Sequence, residues 1–434
     1  MTQIISIVGK PNAGKSTLFN RIINQKLAVT APVPGVTRDR VISPAEWGGK
    51  KFNLVDTGGI KLDFVNNIEK ETLFQTKQAI QNSDVIIFLL DSKEPLTAID
   101  EEINNMLRKS EKPIIAAVNK IDDFEKHNWD EFYKFGYKDL IPISAEHGKN
   151  VNDLLDAVVK YLKEGDQHTD FSGIKVSIVG RPNVGKSSLF NKLAGEERSI
   201  VSNIPGTTRD AIDTIVKFHK KDYLFVDTAG LRKKNKVTDK IEHYSILRTL
   251  KAIDSCDISL LMVDASTGFE EQELKIAHLV IENNKGLIII VNKWDLIEKD
   301  DKTYKKFEDK IYGRAPFLKF APVLFISVLT GQRLPKIFEL INEVYGNLKK
   351  RVTTAELNNF LNELKSEYSM PVSKSKKAKL NFMIQIKSEY PAFAVHSTHI
   401  ELLNQGFTSF IINKLREKYG FSGAPIKIIY KNKS

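Results

Sequence analysis

A chain of 434 residues with 41% apolar residues is too long for one core and can fill two or three. Its single cysteine, Cys256, excludes an internal disulfide and a cysteine metal cluster, and no apolar run reaches the roughly 18 residues that span a bilayer. A cytoplasmic protein without membrane contact is expected, and the net charge of +11 points to a polyanionic partner.

Met1 leads into Ile4-Ile-Ser-Ile-Val8, which reads as a first strand rather than a leader peptide. A first α/β domain is expected over residues 1–163, with strands at 4–8, 52–55, 85–90 and 114–118. Helices at 15–24, 69–81, 98–109 and 151–162 alternate with those strands, as crossover connections do. Residues 164–172 are polar, lack a periodic apolar face and read as a linker. A second domain over residues 173–349 repeats the order with strands at 175–179, 223–226, 258–263 and 287–291. Cys256 lies just before the third of these and reads as a small core residue.

Residues 350–434 do not belong to the repeat. They read as a small α+β unit: helix 353–368, strands 380–386 and 392–396, helix 402–418 and strand 426–430. Residues 351–434 hold 13 Lys or Arg against 6 Glu, a net +7, so most of the chain's excess charge sits in its last fifth. The densest run contains Lys374, Lys376, Lys377 and Lys379, the candidate polyanion contacts of this unit. The second domain adds another basic cluster at Arg232, Lys233, Lys234 and Lys236, where the first has Ile60-Lys-Leu-Asp-Phe64.

The repeat carries chemistry. Gly9-Lys-Pro-Asn-Ala-Gly14-Lys15-Ser16 recurs 171 residues later as Gly180-Arg-Pro-Asn-Val-Gly185-Lys186-Ser187. A Gly-x4-Gly-Lys-Ser loop between a strand and a helix is a phosphate cradle: backbone N–H groups and the helix N-terminus face the anion. Lys15 and Lys186 are expected on the β- and γ-phosphates, with Thr17 and Ser188 completing the phosphate-binding stretch. Ser16 and Ser187 offer hydroxyls to Mg²⁺, and Asp56 and Asp227 end apolar strands where a carboxylate can hold its hydration shell. Thr37 and Thr208, in Pro-Gly-x-Thr-Arg-Asp loops, are candidates for a further Mg²⁺-ligating hydroxyl in the triphosphate state. Gly59 and Gly230, in Asp-Thr-x-Gly, are placed to set an N–H against the γ-phosphate.

Asn119-Lys120-Ile-Asp122 and Asn292-Lys293-Trp-Asp295 fix the base. A carboxylate accepts from the N1–H and the exocyclic amine of guanine, whereas adenine has no N1–H. Ser144 and Ala145, and Ser327 and Val328, complete the two base pockets through their backbone. GTP and GDP are thus the expected substrate and product. The residues after Asp-Thr-x-Gly, Ile60 and Leu231, are apolar and cannot polarise a water, so slow intrinsic turnover or another catalytic element is expected. The histidines show no metal-ligand spacing.

Four motifs repeated in register are highly specific. Together with Ser144-Ala-Glu-His-Gly148, Tyr244-Ser-Ile-Leu-Arg-Thr-Leu-Lys-Ala-Ile253 and Thr330-Gly-Gln332, they make essentially the whole chain resemble the bacterial double-domain ribosome-assembly GTPases, the Der or EngA family. The resemblance implies two tandem P-loop (Ras-like) GTPase domains followed by a KH-like domain that packs between them and contacts RNA. It implies GTP hydrolysis coupled to maturation of the 50S subunit, with the 50S particle, its precursors and 23S rRNA as partners of a monomer. It also implies an activating K⁺ held partly by the loop asparagines, here Asn12 and Asn183. Lys10, Ala13 and Val328 depart from the family's usual Arg, Val and Ala. Gly420-Phe-Ser-Gly423 has the spacing of the KH nucleic-acid clamp but follows the last helix instead of joining two. RNA contact through a basic face, or a protein-facing role, is expected of the module instead.

Two other classes compete: a tRNA-modifying or membrane-associated GTPase, which needs a catalytic cysteine or lipid-facing segment, and a scaffold with residual nucleotide affinity.

Overall fold

A computed structural model describes residues 2–23, 42–59, 68–123, 130–137, 140–162, 171–195, 201–203, 213–228, 246–298, 300, 302–367, 372–373 and 376–432. The chain divides into two compact units, Met1–Thr169 with Ser245–Lys251, and Asp170–Tyr244 with Ala252–Ser434.

In the first unit β1 (Gln3–Val8) is followed by α1 (Lys15–Ile22), β2 (Ile42–Trp47), β3 (Lys50–Asp56), α2 (Ile68–Asn82) and β4 (Val85–Asp91). Then come α3 (Ala98–Arg108), β5 (Ile114–Asn119), β6 (Leu140–Pro142) and α4 (Val151–Lys160). The sheet order is β2-β3-β1-β4-β5-β6, parallel except for the antiparallel edge pair β2–β3. Strand β4 is buried at all seven positions, as a central parallel strand covered on both faces must be. Helix α4 buries Val151, Leu154, Leu155 and Val158, one stripe at helical spacing. Strand order reverses around β1, which has β3 on one side and β4 on the other, and ligands of such sheets bind beyond the carboxyl ends at that point.

The second copy of the repeat follows with β7 (Ile174–Gly180), α5 (Lys186–Gly195), β8 (Val201–Asn203), β9 (Thr214–Phe218), β10 (Lys221–Phe225) and α6 (Ile246–Ser255). It continues with β11 (Ile258–Asp264), α7 (Glu271–Glu282), β12 (Gly286–Asn292), α8 (Thr303–Arg314), β13 (Val323–Phe325) and α9 (Pro335–Lys349). Its order, β13-β12-β11-β7-β10-β9-β8, is that of the first sheet plus one edge strand. Cys256 is buried just before β11, among Ser177, Ser259 and the Ile253 carbonyl.

The C-terminal module adds α10 (Thr354–Glu367), the short pair β14 (Val372–Ser373) and β15 (Lys376–Lys377), then β16 (Lys379–Gln385), β17 (Ala392–Thr398), α11 (Gln405–Tyr419) and β18 (Lys427–Asn432). Strand β17 lies between antiparallel β16 and parallel β18. Its apolar side chains join those of the second sheet in one continuous core, from Ile288 and Val344 to Phe393 and Leu415.

The joint within that core is the Gly420–Ala424 loop. Gly423 N–H donates to the Phe320 carbonyl (2.7 Å), its own carbonyl accepts from Leu287 N–H (2.9 Å), and Asn347 donates to the Ser422 carbonyl (2.9 Å). Arg416 donates to the carbonyls of Phe421 and Ala424 and lies over the Phe320 ring at 4.3 Å. The Gly-x-x-Gly spacing therefore serves a docking turn. Gly423 has φ 70°, and a Cβ there would stand 2.3 Å from Val344 Cγ2, whereas Gly420 has φ 85° and open space. Gly423→Ala is expected to cost roughly 1–3 kcal/mol. Gly420→Ala bears only the backbone strain, and equal losses for the two in denaturant melts would contradict the clash.

Candidate nucleotide sites

Both phosphate loops leave the carboxyl end of a central strand and wrap into a helix. In the first, Lys15 Nζ folds back to donate to the carbonyls of Gly9 (2.9 Å) and Lys10 (2.7 Å). In the second, Lys186 Nζ makes the same pair of bonds to Gly180 (3.0 Å) and Arg181 (2.6 Å). Burial pushes the Lys15 ammonium down to about 8, against Asp56 and Asp100, which favour its charge. A desolvated cation gains from a phosphate oxygen. Thr17 and Ser188 stand in the first turns of α1 and α5, and Asn12 (φ 64°) and Asn183 (φ 61°) are exposed on left-handed backbone.

The second residue of each loop is an anchor. Lys10 pairs with Asp100 at 3.2 Å and donates to the Pro95 carbonyl. Arg181 pairs with Glu273 and donates to Thr267 and to the Gly268 carbonyl. Asp100 and Glu273 are the third residues of α3 and α7, where each also closes a capping box. The shorter base thus meets the shorter acid and the longer base the longer acid, which explains how Lys10 can replace Arg. Removing one partner of a buried pair costs about 3–5 kcal/mol.

An asparagine ties each phosphate loop to its base loop. Asn119 Nδ2 donates to the Ala13 carbonyl (2.8 Å) and Asn119 Oδ1 accepts from Ala145 N–H (2.9 Å). Asn292 repeats this with Val184 (2.9 Å) and Val328 (3.1 Å). Gly14 (φ 93°) and Gly185 (φ 100°) pass beneath these amides; a Cβ would stand 2.3 Å and 2.4 Å from the Asn119 and Asn292 nitrogens.

Lys120 (φ 69°) and Lys293 (φ 62°) occupy left-handed backbone, and each bonds a strand-end carboxylate, Asp91 or Asp264, at 2.5 Å. Burial alone would raise the Asp264 carboxyl, but Lys293 and Ser266 outweigh it and hold it below the ordinary value. Asp91 and Asp264 belong to no motif; their signal is only their place at the end of the strand beside the one that delivers Asn-Lys-x-Asp.

The carboxylates expected to read the base differ between copies. Asp122 accepts from Ser144 (2.9 Å) and Lys93 (3.2 Å), which hold its carboxyl below the usual range. Asp295 Oδ1 is buried with no donor among the described residues. Asp295 lines a cavity of about 770 Å³ that runs from Lys186 and Ser187 to Asn292 and Val328, a size that admits a nucleotide. Exposed Leu296 and Leu329 rim this cavity, where the first copy has Asp123 and Glu146. Ser144 and Ser327 are buried and accept from the backbone N–H of His147 and Thr330.

The ends expected to face the metal differ too. Ser16 Oγ donates to Asp56 Oδ2 at 2.5 Å, and Gly58 N–H donates to Asp56 Oδ1 at 3.0 Å, with Gly59 next in the same turn. This hydroxyl–carboxylate pair is the oxygen donor set that a hard divalent cation takes. In the second copy β10 ends at Phe225, Asp227 has φ 54°, and its N–H is held by Asp213 at 3.0 Å. Burial raises the Asp213 carboxyl. Asp213 occupies the place of Ile42 and was not legible from any motif. Ser187 is buried at the start of α5. Thr37, Thr208, Gly230, Ile60, Leu231, Arg232, Lys233, Lys234, Lys236 and Lys374 lie outside the described residues, as does the side chain of Lys376; Lys377 and Lys379 are exposed.

Strand order, paired phosphate loops and the matching family models define two P-loop GTPase domains followed by a small α+β module. The family described as "50S ribosome-binding GTPase" matches residues 4–120 and 175–293, and the KH-domain-like C-terminal family of EngA bacterial GTPase enzymes matches 351–431. The chain is 46% identical over 432 residues to GTPase Der of Caldanaerobacter subterraneus subsp. tengcongensis, covering 99% of this chain and 98% of the relative. It is 47% identical to GTPase Der of Caldicellulosiruptor saccharolyticus, covering 100% and 99%. With GTPase Der of Fusobacterium nucleatum subsp. nucleatum it shares 44% over the full length of both. The chain belongs to the GTPase Der (EngA) family and is a GTP-hydrolysing enzyme. Among the described residues no helix is long and apolar enough to cross a membrane.

Proposed function

We propose that this GTPase is a molecular switch in maturation of the large ribosomal subunit, its nucleotide state governing domain arrangement and association with 50S particles and 23S rRNA. The observation that carries the reading is the fusion of two GTPase domains to a module of net charge +7 within a family described as 50S ribosome-binding. Lys15 and Lys186 exchange their loop carbonyls for phosphate oxygens. Ser16 with Asp56, and Ser187 with Asp227, hold Mg²⁺, joined by Thr37 and Thr208 in the triphosphate state. Mg²⁺ supplies positive charge to the phosphates there. Gly59 and Gly230 sense the γ-phosphate, and its departure releases the loops that follow. Asp122 and Asp295 read guanine, with Lys120 and Lys293 held beside the base by Asp91 and Asp264.

Asn12 and Asn183 would partly hold an activating K⁺, which would supply positive charge of the kind an arginine finger supplies. Arg232, Lys233, Lys234 and Lys236, with Lys374, Lys376, Lys377 and Lys379, face rRNA. The test is GTP hydrolysis in K⁺ and in Na⁺ by the intact protein, Lys15→Ala and Lys186→Ala, with and without 50S subunits. K⁺ is expected to raise turnover, 50S subunits to change it, and either substitution to reduce it. Turnover indifferent to the cation would remove the Asn12 and Asn183 assignment; indifference to 50S subunits would count against the ribosomal one.

A further inference from the structure

Strand pairing across the C-terminal sheet sets Phe382 opposite His396, and His396 opposite Lys431, so the three side chains form a row on one face. The opposite face holds Met383, Phe393 and Val395, all fully buried in the core with residues of α10 and α11. On the outer face the Phe382 ring is 38% exposed and stacks on the His396 ring, with centroids 4.1 Å apart and planes 14° from parallel. Lys379, paired with Thr398, is the next residue of β16 on this face. A register shift between Leu380 and Phe382 inserts one residue. Without it, Lys379 and Phe382, three apart, would point to opposite faces. Lys377, Lys379 and Lys431 are all exposed.

We propose that this face is a platform for single-stranded RNA. One base stacks on the open side of Phe382, and Lys379 and Lys431 take the flanking phosphates. The inference deepens the RNA-partner reading given under Proposed function and rests on it. A flat aromatic held in place by a second ring loses little freedom when a base covers it, and base–aromatic stacking is tolerant of sequence. Lysines on both sides supply the charge complementarity. A duplex keeps its base faces inside its own stack, so the platform discriminates against it. The Gly420–Gly423 turn, which has the spacing of the KH clamp, is committed here to Phe320 and Leu287, which leaves the sheet face as the alternative surface.

The test is fluorescence anisotropy of the full-length protein with a short labelled oligoadenylate and with an RNA duplex of equal charge. Phe382→Ala is expected to weaken single-strand binding about tenfold. Phe382→Leu, which keeps apolar bulk without a π face, should weaken it as much, while Phe382→Trp retains it. GTP hydrolysis should be unchanged in all three. Lys379→Gln with Lys431→Gln should lower the salt slope by about 1.4 for two lost single-strand phosphate contacts. The platform is overturned if Phe382→Ala binds oligoadenylate as the intact protein does, or if the duplex binds equally well. If the intact protein binds neither RNA nor 50S subunits, the RNA-partner reading falls with it. RNA binding that depends on the lysines alone removes the platform and leaves that reading standing.

Discussion

Asp295→Asn is expected to turn the second site from guanine to xanthine nucleotides. The Asp295 Oδ1 atom is buried and has no donor among the described residues, while Asn292 beside it is committed to Val184 and Val328. Asp295 lines the cavity, and a carboxylate at this position of Asn-Lys-x-Asp would accept from guanine N1–H and its 2-amino group. Asparagine keeps one acceptor and adds a donor that meets the 2-amino group head-on. Xanthine carries a carbonyl at that position and restores the match. A site built around buried hydrogen bonds rejects the mismatched base strongly, so GTP affinity there should fall at least about a hundredfold. Xanthosine triphosphate should recover binding, while the first site, where Asp122 is unchanged, keeps GTP. Calorimetric titration with both nucleotides checks this, and undiminished GTP binding at two sites would remove Asp295 from base recognition.

Gly185→Ala is expected to disable the same site by a single methyl group. Its Cβ would stand 2.4 Å from Asn292 Nδ2, on a backbone with φ 100° that L side chains rarely adopt. The amide cannot yield without breaking its bonds to Val184 and Val328, which align the phosphate loop with the base loop. Losing both contacts displaces phosphate and base recognition together, so nucleotide affinity should drop at least about a hundredfold, with roughly 1–3 kcal/mol of stability lost. Gly195→Ala, at the end of α5 in open space, is the control and should do neither. Fluorescent GDP binding and thermal melts separate the two effects. A Gly185→Ala protein that binds nucleotide normally would mean that the asparagine bridge does not align the site.

The central strands were legible because β4 carries six apolar residues in a row and β11 is apolar but for Ser259 and the final Asp264, both buried at every position, as strands between two covered faces are. Strand β2 was not, because Pro44 and Glu46 interrupt its apolar pattern; an edge position tolerates both. The expected helix at 402–418 begins instead at Gln405, where the Asn404 side chain accepts from Phe407 N–H and caps it. In the sites, residues contiguous in the phosphate loops announced themselves. The carboxylates that hold those residues did not: Asp91, Asp100, Asp213, Asp264 and Glu273 reach the sites only through the fold. The stacked Phe382 and His396 rings depend on one extra residue in β16, which no alternation of apolar and polar residues reveals.

The measurement that bears most directly on the switch is co-sedimentation of the intact protein with purified 50S subunits, in K⁺, with a non-hydrolysable GTP analogue or with GDP. The account predicts that the bound fraction differs between the two nucleotides. It also predicts that the analogue's effect is weakened in Asp295→Asn and restored by the corresponding xanthosine analogue. The same bound fraction in both nucleotide states would contradict it.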